Sequence, residues 1–254
     1  MDETMNKMLP LGLIAASFLS TSAMAEDTPK KTGIKIKSEL GVLITTGNTE
    51  SSSYLGKLVV NQQLTTWRNK YTLDFLQKKA EVTDDNGNKQ DEETDNRWSI
   101  TGKGNYKFTE KSSAFVRASY TDDKYGAFAK YATASTGYSF RALERENMTL
   151  DVEAGLGYVD AENQDNVSES GELYRGAGEF EWQINDMTQF SQTLSFERAP
   201  VLDNTQTISE TGISASFNSA MQMKFGYRVI SNSNVEPGFE KTDTETSVTL
   251  VVKF

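Results

Sequence analysis

Residues 97–108 read RWSITGKGNYKF. In an extended chain, successive side chains point to opposite faces. Trp98, Ile100, Gly102, Gly104, Tyr106 and Phe108 therefore share one face, and Ser99, Thr101, Lys103, Asn105 and Lys107 share the other. A helix of period 3.6 would mix the two sets, so the stretch predicts a strand with one apolar side.

The same alternation recurs in both directions. Residues 34–44 set Ile34, Ile36, Leu40, Val42 and Ile44 against Lys35, Lys37 and Glu39, and residues 71–78 set Tyr71, Leu73 and Phe75 against Thr72, Asp74 and Lys78. In the second half, Met148, Leu150, Val152, Ala154, Leu156 and Tyr158 stand over Asp151 and Glu153. Met221, Met223, Phe225, Tyr227 and Val229 stand over Lys224 and Arg228. The chain closes on SVTLVVKF, with Val248, Leu250, Val252 and Phe254 on one face. About twelve such strands are expected, with no helix and no second domain. Short turns at 66–69, 109–112, 143–146, 185–186 and 218–220 alternate with longer polar links at 47–51, 82–95, 121–127, 160–169, 199–205 and 231–243. That order describes an antiparallel up-and-down meander with both chain ends on the short-turn side.

Residues 1–25 are set apart from this pattern. Lys7, an apolar run from Leu9 to Leu19, and Ala23 and Ala25 as an A-x-A cleavage site read as a secretory signal peptide. The leading MDET is acidic, which admits Met5 as an alternative start. Residues 26–254 form the single expected domain.

Composition narrows the function classes. The chain has no histidine and no cysteine, which removes imidazole acid–base chemistry, Ser-His and Cys-His nucleophiles, and disulfides. A net charge of −10 argues against nucleic acid as a partner. We therefore expect no cofactor, no metal and no enzyme. No run of ~20 apolar residues follows the signal, so no helix is expected to cross a membrane.

A soluble sandwich would bury the apolar face, whereas a membrane barrel turns it to lipid. The inverted arrangement fits better. The polar face carries charges of both signs, and aromatics gather where strands meet the short turns: Trp67, Tyr71, Tyr106, Phe108, Phe140, Trp182, Phe190, Phe217 and Phe254. The expected fold is an all-β transmembrane antiparallel barrel in a Gram-negative outer membrane, with its termini in the periplasm. Its partners would be outer-membrane lipid and lipopolysaccharide. The terminal residues Leu250, Val252 and Phe254 resemble the signal that such barrels present to the barrel assembly machinery.

The lumen-lining candidates divide by sign. One side of the wall tends to basic, with Lys57, Lys78, Lys103, Lys107, Arg117 and Arg141, and the opposite side to acidic, with Asp151, Glu153, Glu179, Glu181, Glu197 and Glu210. Such segregation could orient small solutes or ions across a pore, or the charges could pair and fill it. Twelve strands lie between packed and open barrels, so both readings stand. Two other functions remain. The acidic link at 84–95 could serve a surface interaction, or hold a cation bridging to lipopolysaccharide. Its Lys89, however, occupies the place of an EF-hand glycine, and the plain reading is a solvated loop. Glu179 and Glu181 could act as a carboxylate pair, but no nucleophile or cofactor motif accompanies them.

The stretch ELGVLITTGNT (39–49), through Glu39, Leu40, Gly41, Thr45, Gly47, Asn48 and Thr49, resembles the YdiY-like family of salt-induced outer-membrane proteins. Gly155, Gly157, Tyr158 and the terminal Phe254 agree with it. The resemblance implies an outer-membrane barrel, and the expected role is a narrow passive channel or an envelope-integrity protein associated with salt or osmotic stress.

Overall fold

The computed structural model describes residues 32–45, 51–83, 89–235 and 237–254. Ala23 and Ala25 of the expected signal, and Gly47, Asn48 and Thr49 of the family motif, lie outside the described residues.

Twelve strands form a closed barrel: β1 Gly33–Thr45, β2 Ser51–Gln63, β3 Trp67–Thr83, β4 Lys89–Lys107, β5 Ser112–Asp123, β6 Lys130–Arg145, β7 Met148–Glu162, β8 Ser168–Gln183, β9 Thr188–Ala199, β10 Asn204–Ser216, β11 Met221–Asn232 and β12 Thr242–Lys253. Every strand pairs antiparallel with its sequence neighbours, and β1 closes on β12. At 12 to 19 residues, β2 to β12 exceed the roughly 9–11 residues that a tilted strand needs to cross a bilayer. The closing ladder pairs Lys37 with Lys253 through Leu40 with Leu250, and Phe254 exchanges backbone bonds with Ile36 at 2.9 and 3.2 Å. The half-apolar end of the chain is thus held in the wall.

The short turns are built from side-chain oxygens that cap their own backbone, as Asx- and ST-turns do. Asn185 Oδ1 accepts from the amides of Met187 and Thr188, Asn218 Oδ1 from Ala220 and Met221, and Thr109 Oγ1 from Lys111 and Ser112. These geometries leave no slack, so each fixes the register of its hairpin.

Burial is inside out relative to a soluble protein. Ile100, Val116, Leu156 and Phe225 are each more than half exposed on the outer wall, while Glu39, Arg97, Glu153 and Glu197 are buried within. Aromatic side chains ring the short-turn end, with Trp67 and Tyr106 at 5.4 Å and Tyr106 and Phe108 at 5.7 Å between centroids. Such pairs suit a membrane interface, where one edge of each ring is wet.

The structure departs from the sequence reading in three places. The supposed link at 82–95 is largely strand: β3 runs to Thr83 and β4 starts at Lys89. Because β5 pairs with β4 only from Arg97 onward, the β3–β4 hairpin overhangs the rim. Backbone pairing continues there without a lipid face to impose alternation. A bulge between Lys78 and Lys79 shifts the register, and Asp84, Asn86 and Asn88 lie outside the described residues. Second, β6 runs through 143–145, where a turn was expected, by means of a bulge after Arg141 that keeps Leu143 beside Leu150. Third, Pro200–Leu202 forms one turn of 3-10 helix, where Pro200 presets φ and Asp203 ends the turn with φ 43°.

Candidate functional site

The strand pleat sends one set of side chains from every strand into the barrel, and the inward set is charged. β2 to β6 supply Lys57, Arg68, Lys70, Lys78, Arg97, Lys103, Arg117 and Arg141. β7 to β10 supply Asp151, Glu153, Glu179, Glu181, Glu197 and Glu210. The two half-walls meet across the interior. Lys57 Nζ lies 3.4 Å from Glu210, Lys70 Nζ 2.5 Å from Glu179, Arg68 3.6 Å from Asp151 and Arg117 3.5 Å from Glu197. Lys103 pairs with Glu153 in the same way. Arg97 reaches Glu245 of β12 at 2.7 Å, and Lys224 of β11 reaches Glu39 of β1 at 2.9 Å.

Other inward charges are satisfied along the wall. Arg141 forks onto Asp151 with bonds of 2.8 and 2.9 Å, Lys78 meets Asp95 at 2.8 Å, and Arg175 meets Glu197 at 2.5 Å. Lys107 sits at the rim, where its Nζ donates to the Leu64 carbonyl at 3.0 Å. Arg68, Lys70, Arg97 and Glu245 were absent from the sequence-based set. Their strand parity was the signal that could have found them: Lys70 shares a face with Thr72, and Arg97 with Ser99.

Cavities remain between these bridges. One of about 220 Å³ lies in mid-barrel among Lys57, Asp74, Glu210, Arg228 and Glu245. One of about 160 Å³ lies toward the short-turn end and carries Arg68, Lys70, Lys103 and Arg141 beside Asp151, Glu153, Glu179 and Glu181. A third of about 70 Å³ lies toward the long-link end. There Tyr131, Val159, Ala161, Leu173, Ala199 and Leu202 form a buried apolar cluster, with Phe128 packed on it. The turn at Pro200–Leu202 thus folds inward, and Asn234 Nδ2 ties it down by donating to the Leu202 carbonyl at 3.4 Å. Phe115, fully buried, fills further space against Gly155.

Among the described residues no cluster of acidic side chains is placed to hold a metal ion. The Glu93 carboxylate, on the overhanging hairpin, instead accepts from Gln77 at 2.8 Å and from Lys124 at 3.0 Å. The Gln77 bond, then Lys124 and Asn96, hold the Glu93 carboxyl down at about 2.

A closed barrel of membrane-crossing strands, apolar outside and laced by ion pairs inside, defines an outer-membrane β-barrel protein. The chain belongs to the DUF481 family, described as a protein of unknown function, whose model matches residues 38–254. It is 28% identical over 211 residues to the Escherichia coli (strain K12) uncharacterized protein YdiY, spanning 83% of this chain and 79% of that one. Among solved structures, an outer membrane channel from Pseudomonas putida F1 superposes with a TM-score of 0.51 at 11% identity, covering 93% of this chain and 100% of that one. The NanC porin gives a TM-score of 0.49 at 8% identity over 87% of this chain and 98% of its own. At these identities the likeness concerns the fold.

Proposed function

We propose that the protein is a narrow passive channel of the outer membrane, without catalysis of its own, whose short turns and chain ends face the periplasm. The observation that carries this reading is the cavity at the short-turn end, where four cations face four carboxylates across a space of about 160 Å³. Opposed walls of opposite sign set up a transverse field that favours ions and small zwitterions over neutral solutes. The bridges that divide the lumen set its upper size limit.

The association with salt stress, implied by the family resemblance, has a physical counterpart. Several cross-lumen pairs are partly solvated, as Lys70 and Glu179 are at 39% and 34% exposure. Screening lengths fall from about 8 Å at physiological ionic strength to about 3 Å at 1 M. Higher salt therefore loosens the bridges and widens the path. Leu250, Val252 and Phe254, on the closing strand with Phe254 76% exposed, serve recognition by the assembly machinery.

A second reading rests on the apolar cluster around Leu202: a barrel stoppered at its long-link end that strengthens the envelope without conducting. Swelling of proteoliposomes separates the two. The channel reading expects glycine to enter and a disaccharide to be excluded. Equal entry of both solutes would overturn the narrow lumen, and exclusion of both would select the stoppered barrel.

A further inference from the structure

The cations that bridge the lumen each stand within ion-pair distance of a carboxylate, whereas, among the described residues, three lysines at the short-turn mouth do not. Lys37 and Lys253 are Cα partners in the ladder that closes the barrel, and Lys35 lies one pleat repeat away, roughly 7 Å along β1. Parity turns all three inward, because Glu39 and Val251 on the same faces are buried. Their β2 neighbours offer no relief, since Lys37 is paired with Val59 and Lys35 with Asn61. Glu39, the next carboxylate along β1, is held by Lys224 at 2.9 Å. Among the described residues, no carboxylate lies within ion-pair distance of any of the three.

Like charges placed directly opposite on neighbouring strands are destabilising. Here they stand in the short ladder that seals the barrel, four residue pairs flanked by the backbone bonds between Ile36 and Phe254. We propose that Lys35, Lys37 and Lys253 form a binding site for a small multivalent oxyanion at the short-turn mouth of the lumen. Three ammonium groups on two adjacent strands match a ligand with several clustered anionic oxygens, whether phosphoryl or carboxylate. A bound anion would also relieve the repulsion, coupling occupancy to closure of the β1–β12 seam. The site does not depend on conduction, since it lies at the mouth and not in the divided lumen.

The test is calorimetric titration of the folded protein in uncharged detergent, with tripolyphosphate in one arm and citrate in the other. Binding is expected in at least one arm, and the responding arm tells phosphoryl from carboxylate. It should weaken about tenfold or more in the triple variant Lys35→Gln, Lys37→Gln, Lys253→Gln, since three partly exposed charge contacts are lost. Because these changes remove repulsion, the unfolding midpoint of that variant should stay level or rise. Lys37→Glu, which places an acid opposite Lys253, should both stabilise the seam and weaken binding. No heat with either anion, or equal affinity in wild type and triple variant, would overturn the proposal. So would a triple variant that unfolds more easily, because the lysines would then be structural.

Discussion

Replacing Glu197 by glutamine tests whether the interior is as dry as the pairing implies. Glu197 is 6% exposed, and its Oε1 accepts from Arg175 at 2.5 Å and Arg117 at 3.5 Å. Arg117 also donates to Ser119 Oγ at 3.0 Å and Thr133 Oγ1 at 3.1 Å, and among the described residues no other carboxylate lies within ion-pair distance of it. Glu197→Gln keeps the volume and removes the charge, leaving two guanidinium groups beside a neutral amide with no anion to offset them. Breaking a buried pair by removing one partner costs ~3–5 kcal/mol, because an uncompensated charge stays behind. Solvent-exposed pairs contribute only ~0–1 kcal/mol. The two regimes do not overlap, so equilibrium urea unfolding in liposomes, followed by tryptophan fluorescence, decides between them. A loss of about 3 kcal/mol or more is expected, with part of it restored by adding Arg175→Leu, which removes one of the stranded charges. A loss below ~1 kcal/mol would mean that water screens this layer, and the argument for a divided lumen would fail.

Two further outcomes follow from the geometry. Gly155→Val should be strongly destabilising, because a Cβ there would lie 2.4 Å from the Thr136 carbonyl oxygen and 2.8 Å from Phe115 Cζ. Overpacking alone costs ~1–3 kcal/mol. A urea midpoint equal to wild type would show that β6 and β7 can yield. The tether between the β3–β4 overhang and the link after β5 should respond to acid. The folded Glu93 carboxyl titrates near 2, below its ordinary 4.5, so the tether is fully present above about 4.5 and is lost as pH falls through about 2. A nitroxide at Thr94→Cys, convenient in a chain without cysteine, should keep its mobility from pH 7 to 5 and loosen between 4.5 and 2. With Glu93→Gln it should be loose throughout. Spectra that stay unchanged well below pH 2 would remove Glu93 from the tether.

The wall of the barrel was legible because lipid demands an apolar residue at every second position. Trp98 to Phe108 states that rule without interruption, and the Asn185, Asn218 and Thr109 turns punctuate it. The interior was legible only by sign. That basic residues precede acidic ones along the chain is visible in the sequence, but which lysine meets which carboxylate depends on strand tilt and stagger. Lys70 and Glu179 are 109 residues apart and five strands apart around the ring. The apolar cluster at the long-link end was missed for a different reason. Val159, Ala161, Leu173 and Ala199 are apolar at positions whose parity points inward, and all gather at one end; taken with Pro200, Val201 and Leu202 in the link that follows, they carried the signal. The overhang at Thr83 and Lys89 left no such trace, since strands outside the membrane need only pair their backbones.

The most direct measurement is single-channel conductance of the refolded protein in a planar bilayer under a salt gradient, compared with Lys70→Ala/Glu179→Ala, which removes one bridge and both of its charges. The account predicts small discrete steps with definite ion selectivity for the wild type, and larger steps for the double variant because the cavity at the short-turn end is widened. Silence from both proteins, shown to be folded by heat-modifiable gel mobility, would contradict the channel and leave a stoppered barrel.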